Sequence, residues 1–149
     1  MTQPIDRLSI QLYSARSITP LEAQFALVAD LGYKMVEPWG GLFNDPDTLK
    51  RLLDGHGMSA PSAHLGLDRL REDAVGTAKL CKGLGIETIF APAPPPGERE
   101  GGENEWRGIG RELLEIGKAV SGEGLRLGWH NHHWEYGRSD AGQDECRCP

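Results

Sequence analysis

The sequence predicts an α/β chain that forms a partial (β/α)8 barrel: about five parallel strands with helices on the outer face. Three observations carry this reading. Strand-like runs begin near residues 8, 33, 58, 86 and 125, and helical periodicity separates them, the alternation that produces parallel strands and crossover helices. The ends of these runs carry Gln11 and Tyr13, Glu37 and Trp39, His64, then His130 and His132, polar and aromatic groups placed where a barrel builds its site. The turn after the first strand, SARSITP, holds neither a GxGxxG nor a GxxxxGK[ST] arrangement. That omission weighs against the alternative, a five-stranded doubly wound sheet, although the chain's length suits such a sheet and a full barrel takes roughly 250 residues.

Each element has its own local reason. Residues 8–13 (LSIQLY) alternate apolar and polar side chains, and Thr19-Pro20 then reads as a helix cap with proline in the first turn, ahead of LEAQFALVADLG. Gly32 stops that helix. Residues 33–37 (YKMVE) form a short strand ending at Pro38, and Asp45 is placed to cap a helix over residues 46–53. Residues 58–65 (MSAPSAHL) make a weaker strand because of Pro61, with Ser62 and His64 on one face and Ala63 and Leu65 on the other. A stripe of Leu70, Ala74, Ala78 and Cys81 marks a helix over residues 67–84, closed by Gly85. Residues 86–91 (IETIFA) lead into a Pro- and Gly-rich loop over residues 92–102, and Trp106, Ile109, Leu113, Ile116 and Val120 give a long amphipathic helix ended by Gly122 and Gly124. The fifth strand, residues 125–131 (LRLGWHN), separates Leu125, Leu127 and Trp129 from Arg126, Gly128 and His130, with His132 continuing the second face.

Composition narrows the function classes. There are 16 basic and 22 acidic residues, a net charge of −6, with no basic run longer than a pair; nucleic acid is not an expected partner, since backbone binding needs clustered Lys and Arg. No stretch approaches the ~18 apolar residues of a membrane span, and the N-terminus lacks a signal-peptide pattern, so a cytoplasmic protein with no membrane partner is expected. Cys81 reads as a small buried hydrophobe, while Cys146 and Cys148 have neither disulfide-framework nor zinc-site spacing. Residues 137–149 (GRSDAGQDECRCP) lose every aliphatic side chain larger than alanine. The domain reading is therefore a barrel portion over residues 1–136 and an irregular tail over residues 137–149, of the kind left by truncation or a shifted reading frame.

The chemistry concentrates in a few side chains. Of the five histidines, three fall within HNHH at residues 130–133. His130 and His132 share one face, so both imidazoles can reach a bound cation, or one can bind while the other moves a proton. His64 is either a hydrogen-bonded structural residue or a site residue. Glu37 is a salt-bridging or substrate-facing carboxylate, and Trp39 is a core residue or a wall for a sugar ring. Glu135, five residues beyond His130, is a candidate acceptor that orients an imidazole. His56, between Gly55 and Gly57, reads as a helix-end residue.

Taken together, QLYSAR, YKMVEPWGG, SAHLGL, IFAPAPPP and LGWHNHHWEY, in order from about residue 7 to 136, resemble the sugar phosphate isomerase/epimerase family with its xylose-isomerase-like TIM barrel. The resemblance implies a divalent metal (Mn, Mg, Co or Zn) at the barrel mouth, a small sugar or polyol substrate, and proton transfer beside its carbonyl. It implies His130 as metal ligand, His132 and Glu135 as proton-transfer groups, and Glu37, Trp39 and His64 as substrate contacts. In the family the fifth strand presents a glutamate where this chain has His130, and further ligands come from strands six to eight. The alternative is a non-catalytic half-barrel that binds a small polyol, and in either case the chain alone is expected to be inactive. A half-barrel exposes sheet edges, so self-association is expected; a monomer by sedimentation at high concentration would oppose it.

Overall fold

A computed structural model describes residues 7–136; the tail over residues 137–149, with Cys146 and Cys148, lies outside the described residues. Five strands, β1 (Ser9–Gln11), β2 (Met35–Glu37), β3 (Ser62–His64), β4 (Thr88–Ala91) and β5 (Arg126–Trp129), alternate with four helices, α1 (Leu21–Asp30), α2 (Pro46–Gly55), α3 (Leu67–Gly83) and α4 (Glu103–Gly122). All strand pairs are parallel: β1 with β2, β3 with β4, and β4 with β5. Two isolated parallel bridges, Met35 to Ser59 and Trp39 to His64, carry β2 onto β3. The spatial order is therefore 1-2-3-4-5, a partial barrel, and the reversal of order required by a doubly wound sheet is not found among these strands.

The β2–β3 contact is not a regular ladder. Between the two bridges the register slips by one residue, with Ala60 and Pro61 on the longer side. Proline has no N–H to give to a ladder, and an extra residue is what a bulge accommodates. Pairing resumes where the His64 N–H donates to the Pro38 carbonyl at 2.9 Å.

Period two separates the faces as the sequence indicated. Val36, Ala63 and Ile89 are fully buried in one core with Phe25, Leu49, Leu70 and Val120 from the helices, while Gln11, Glu37, Ser62 and His64 lie on the other face. Cys81 belongs to the core, and burial pushes its thiol up to about 12. Asp45 caps α2 by accepting from the Thr48 N–H at 3.1 Å. On the β5 side, Leu127, Trp129, Leu113 and the exposed Leu114 line an open groove against α4.

Two local expectations need correction. The helix start at Thr19-Pro20 has no side-chain cap: α1 begins at Leu21 with Pro20 in the cap position. The helix expected over residues 67–84 is interrupted, because Asp73 takes φ −156° and ψ 84°. Its Oδ1 accepts from the Gly76 N–H at 2.7 Å, so a short polar side chain has replaced helical backbone pairing with a cap of its own. A β-carbon at position 76 would collide with that carboxylate.

Candidate functional site

The carboxyl ends of the strands open into a cleft of about 480 Å³, lined by Gln11, Tyr13, Trp39, His64, His130 and His132, and walled on another side by Pro92, Ala93 and Arg99. Parallel strands place their side chains here in register: Gln11 lies opposite Glu37, and His64 lies opposite Phe90 and then Gly128. The Phe90 ring occupies the space that a side chain at 128 would need. A β-carbon there would come within 2.6 Å of it.

At the base of the cleft is a continuous hydrogen-bonded line. The Ser62 hydroxyl donates to Glu37 Oε2, and His64 Nε2 lies 3.1 Å from Glu37 Oε1. Gln11 Nε2 lies 2.6 Å from His64 Nδ1 and 3.3 Å from Glu37 Oε1. The Gln11 amide is also 3.3 Å from His64 Nε2, so it sits against both ring nitrogens, and the tautomer of His64 sets which of them accepts from it. Burial holds the His64 pKa below the usual histidine value, with His130 and His132 adding to that effect and Glu37 opposing it. Desolvation of the imidazolium outweighs the attraction of a carboxylate 3.1 Å away because the side chain is only 11% exposed.

The other two imidazoles continue from His64. The rings of His64 and His130 are 4.7 Å apart and those of His130 and His132 are 5.0 Å apart. His130 is exposed at the mouth and His132 is half-buried. Across from them Tyr13 meets Trp39 edge to face at 5.3 Å. The Trp39 indole lies over Gly41, where a β-carbon would strike it, and its buried Nε1 has no hydrogen-bond partner among the described residues.

The site residues read from the sequence therefore come together, with one difference of position. Glu37, Trp39, His64, His130 and His132 form or underlie the cleft, whereas Glu135 is not in its lining. The Glu135 carboxylate accepts from Trp129 Nε1 at 3.1 and 3.2 Å and from Asn131 Nδ2 at 2.9 Å, and lies 3.9 Å from His132 Nδ1. Ser62 and Arg99 join the site without having been singled out. The face of Ser62 follows from period two, but nothing local in a proline-rich loop marks Arg99.

The donor set bears on the implied metal. Among the described residues no three His, Cys, Asp or Glu side chains are grouped to hold an ion. Glu37 and His64 are turned toward one another, which leaves His130 with an adjacent imidazole and no third donor. The described residues do not constitute a metal centre. Nor is any helix among them long and apolar enough to cross a membrane.

The sequence matches no protein-family model and no curated protein. Solved structures match its shape. AsbF from Bacillus anthracis, described as a probable 3-DHS dehydratase involved in petrobactin synthesis, superposes with TM-score 0.59 at 15% identity, over 80% of this chain and 50% of that one. The IOLI protein, solved with a binding zinc atom, gives TM-score 0.63 at 15% identity over 81% and 50%. An uncharacterized protein from Parabacteroides distasonis gives 0.58 at 14% identity over 86% and 54%. The chain thus spans about half the length of the structures it matches. At these identities the likeness shows the fold alone, and that fold is part of a TIM barrel.

Proposed function

We propose that this chain forms part of a sugar isomerase or epimerase-like protein whose cleft binds a small sugar or polyol and moves a proton beside its carbonyl. The observation that supports this best is the line Ser62–Glu37–His64–Gln11 with His130 and His132 beside it, all at the carboxyl ends of parallel strands. In this reading Tyr13 and Trp39 offer the apolar face on which a sugar ring stacks. His64, packed between Glu37 and Gln11, sets the shape of the base of the cleft. His132 is the proton carrier: it takes the proton from the carbon beside the carbonyl and, for isomerisation, returns it to the former carbonyl carbon while the hydroxyl proton passes to the carbonyl oxygen; epimerisation would need a second group to return a proton from the opposite face. Glu135 anchors the segment bearing His132. No step is assigned to a metal held by these residues, and the rest of a barrel would have to supply further groups for turnover.

The test uses imidazole NMR of the 149-residue chain with xylitol and D-fructose, together with solvent deuterium entering D-fructose. Saturable shifts of His130 and His132 are expected, with affinity reduced about tenfold in Trp39→Ala through loss of the stacking wall. Deuterium entry that disappears in His132→Ala supports proton transfer, because abstraction beside a carbonyl is the step shared by isomerisation and epimerisation. Binding without entry is the result expected of a chain that needs the rest of a barrel for turnover, and entry gained when strands six to eight are supplied separates this reading from the non-catalytic polyol-binding one. Absence of saturable shifts rejects both.

A further inference from the structure

We propose that Arg71, outside the cleft, is a positioning residue for it: its guanidinium clamps the loop after β4 so that Pro92, Ala93 and Arg99 stand as one wall. Nε and Nη2 of Arg71 bond the Glu112 carboxylate of α4 at 2.7 and 2.8 Å, while Nη1 and Nη2 bond the Glu98 carboxylate of the loop at 2.8 and 2.7 Å. One planar fork therefore joins α3, the loop and α4. The Arg71 side chain is 27% exposed, sheltered enough for these charge-assisted bonds to exceed an ordinary surface pair.

The loop needs such a tether. Residues 92–102 contain four prolines and three glycines, and proline removes the N–H groups by which a loop would bond to its surroundings. The described backbone bonds inside it are short-range: Glu98 N–H to the Pro95 carbonyl at 2.9 Å and Arg99 N–H to the Pro96 carbonyl at 3.3 Å. Arg99 Nε donates to the Pro94 carbonyl at 3.0 Å, so the arginine at the cleft moves with the turn that carries Glu98. The Glu98 carboxyl is held below its usual range, chiefly by the hydrogen bonds from Arg71. Fixing residue 98 fixes residue 99, and with it the width of the cleft.

This inference rests on the polyol-binding reading, and its test separates the two. Hydrogen exchange of residues 97–102 and xylitol affinity are measured for the wild-type chain, Arg71→Met, Arg71→Lys and Glu98→Gln, with melting temperature as the control. Arg71→Met is expected to speed loop exchange about fivefold or more and to weaken xylitol binding by a similar factor. Lysine is expected not to restore either, since one ammonium cannot present two forks. Glu98→Gln breaks only the loop side, so it carries the test if Arg71→Met lowers the melting temperature broadly. Faster exchange with unchanged xylitol affinity, restoration by lysine, or unchanged exchange each overturns the proposal. If the wild-type chain binds no xylitol, the polyol reading fails, and the exchange rates still decide the clamp.

Discussion

Glu37→Ala is expected to destabilise the chain by about 2–4 kcal/mol in chemical denaturation, because two donors lose their acceptor and an enclosed imidazole loses its neighbouring carboxylate. The carboxylate accepts from Ser62 and Gln11 and lies 3.1 Å from His64 Nε2, with its own side chain only 16% exposed. Truncation leaves those groups in a site too enclosed for water to replace every bond. Glu37→Gln keeps the volume but removes the charge, and so separates packing from electrostatics. Glu37 is the contribution that raises the His64 pKa against burial; without it the imidazole should titrate at still lower pH, which histidine NMR reads directly. The sign of the stability effect follows. A histidine whose pKa is lowered on folding contributes stability that is full above its unfolded value, near 6.5, and is lost as pH falls from there through the folded value. Wild-type stability should therefore decline on acidification below about pH 6.5, and His64→Phe should flatten that part of the profile. A Glu37→Ala protein as stable as wild type, or a His64 pKa that rises in Glu37→Gln, would contradict the assigned network.

The same network shows why part of this site was readable from residues alone. Strand faces are set by a period of two, so the positions of Ser62 and His64, and of Gly128 and His130, followed from counting. Strand ends converge in any parallel barrel, which places Gln11, Glu37 and His64 together although 53 residues separate the first from the last. Asp45 and Gly32 were legible because caps and turns are local chemistry. Tertiary choices were not. Arg71 reaches Glu98 and Glu112, 27 and 41 residues away, and no periodicity distinguishes it from any other helix arginine. Asp73 was invisible as a helix break because aspartate fits either a helix surface or a cap, and the selection depended on Gly76 leaving room for its carboxylate. The slip at Ala60-Pro61 had a signal, the proline, but read alone it weakens a strand without showing that pairing resumes beyond it. Glu135 illustrates the limit most clearly. Its distance along the chain from His130 suits a catalytic group and an anchor equally well, and the Trp129 and Asn131 donors that favour the anchor are brought to it only by the fold.

The two roles can be separated experimentally, and Glu135→Ala should have a large effect. The carboxylate is 8% exposed and serves as acceptor for the Trp129 indole and the Asn131 amide, while the Glu135 N–H bonds back to the His132 carbonyl at 3.1 Å. Trp129 also packs edge to face on Trp106 of α4, with ring centres 6.4 Å apart. The short 3-10 turn His133–Tyr136 is thereby latched to β5, and His130 and His132 hang between the two attachment points. Removing the carboxylate leaves a half-buried indole N–H and an amide without their acceptor, a cost of about 1–3 kcal/mol. The segment carrying both imidazoles should loosen: Trp129 fluorescence should shift to the red, and affinity for xylitol should fall about tenfold as the ordering of that segment is charged to binding. Glutamine at 135 retains a carbonyl oxygen facing the same donors and is expected to recover most of the stability and the affinity. If instead Glu135 exchanged protons with substrate, Glu135→Gln would abolish deuterium entry into D-fructose while stability, fluorescence and affinity stayed near wild type. Rescue by glutamine supports the anchor; selective loss of exchange would move Glu135 into the proton-transfer machinery and require the 130–136 segment to reorient on binding.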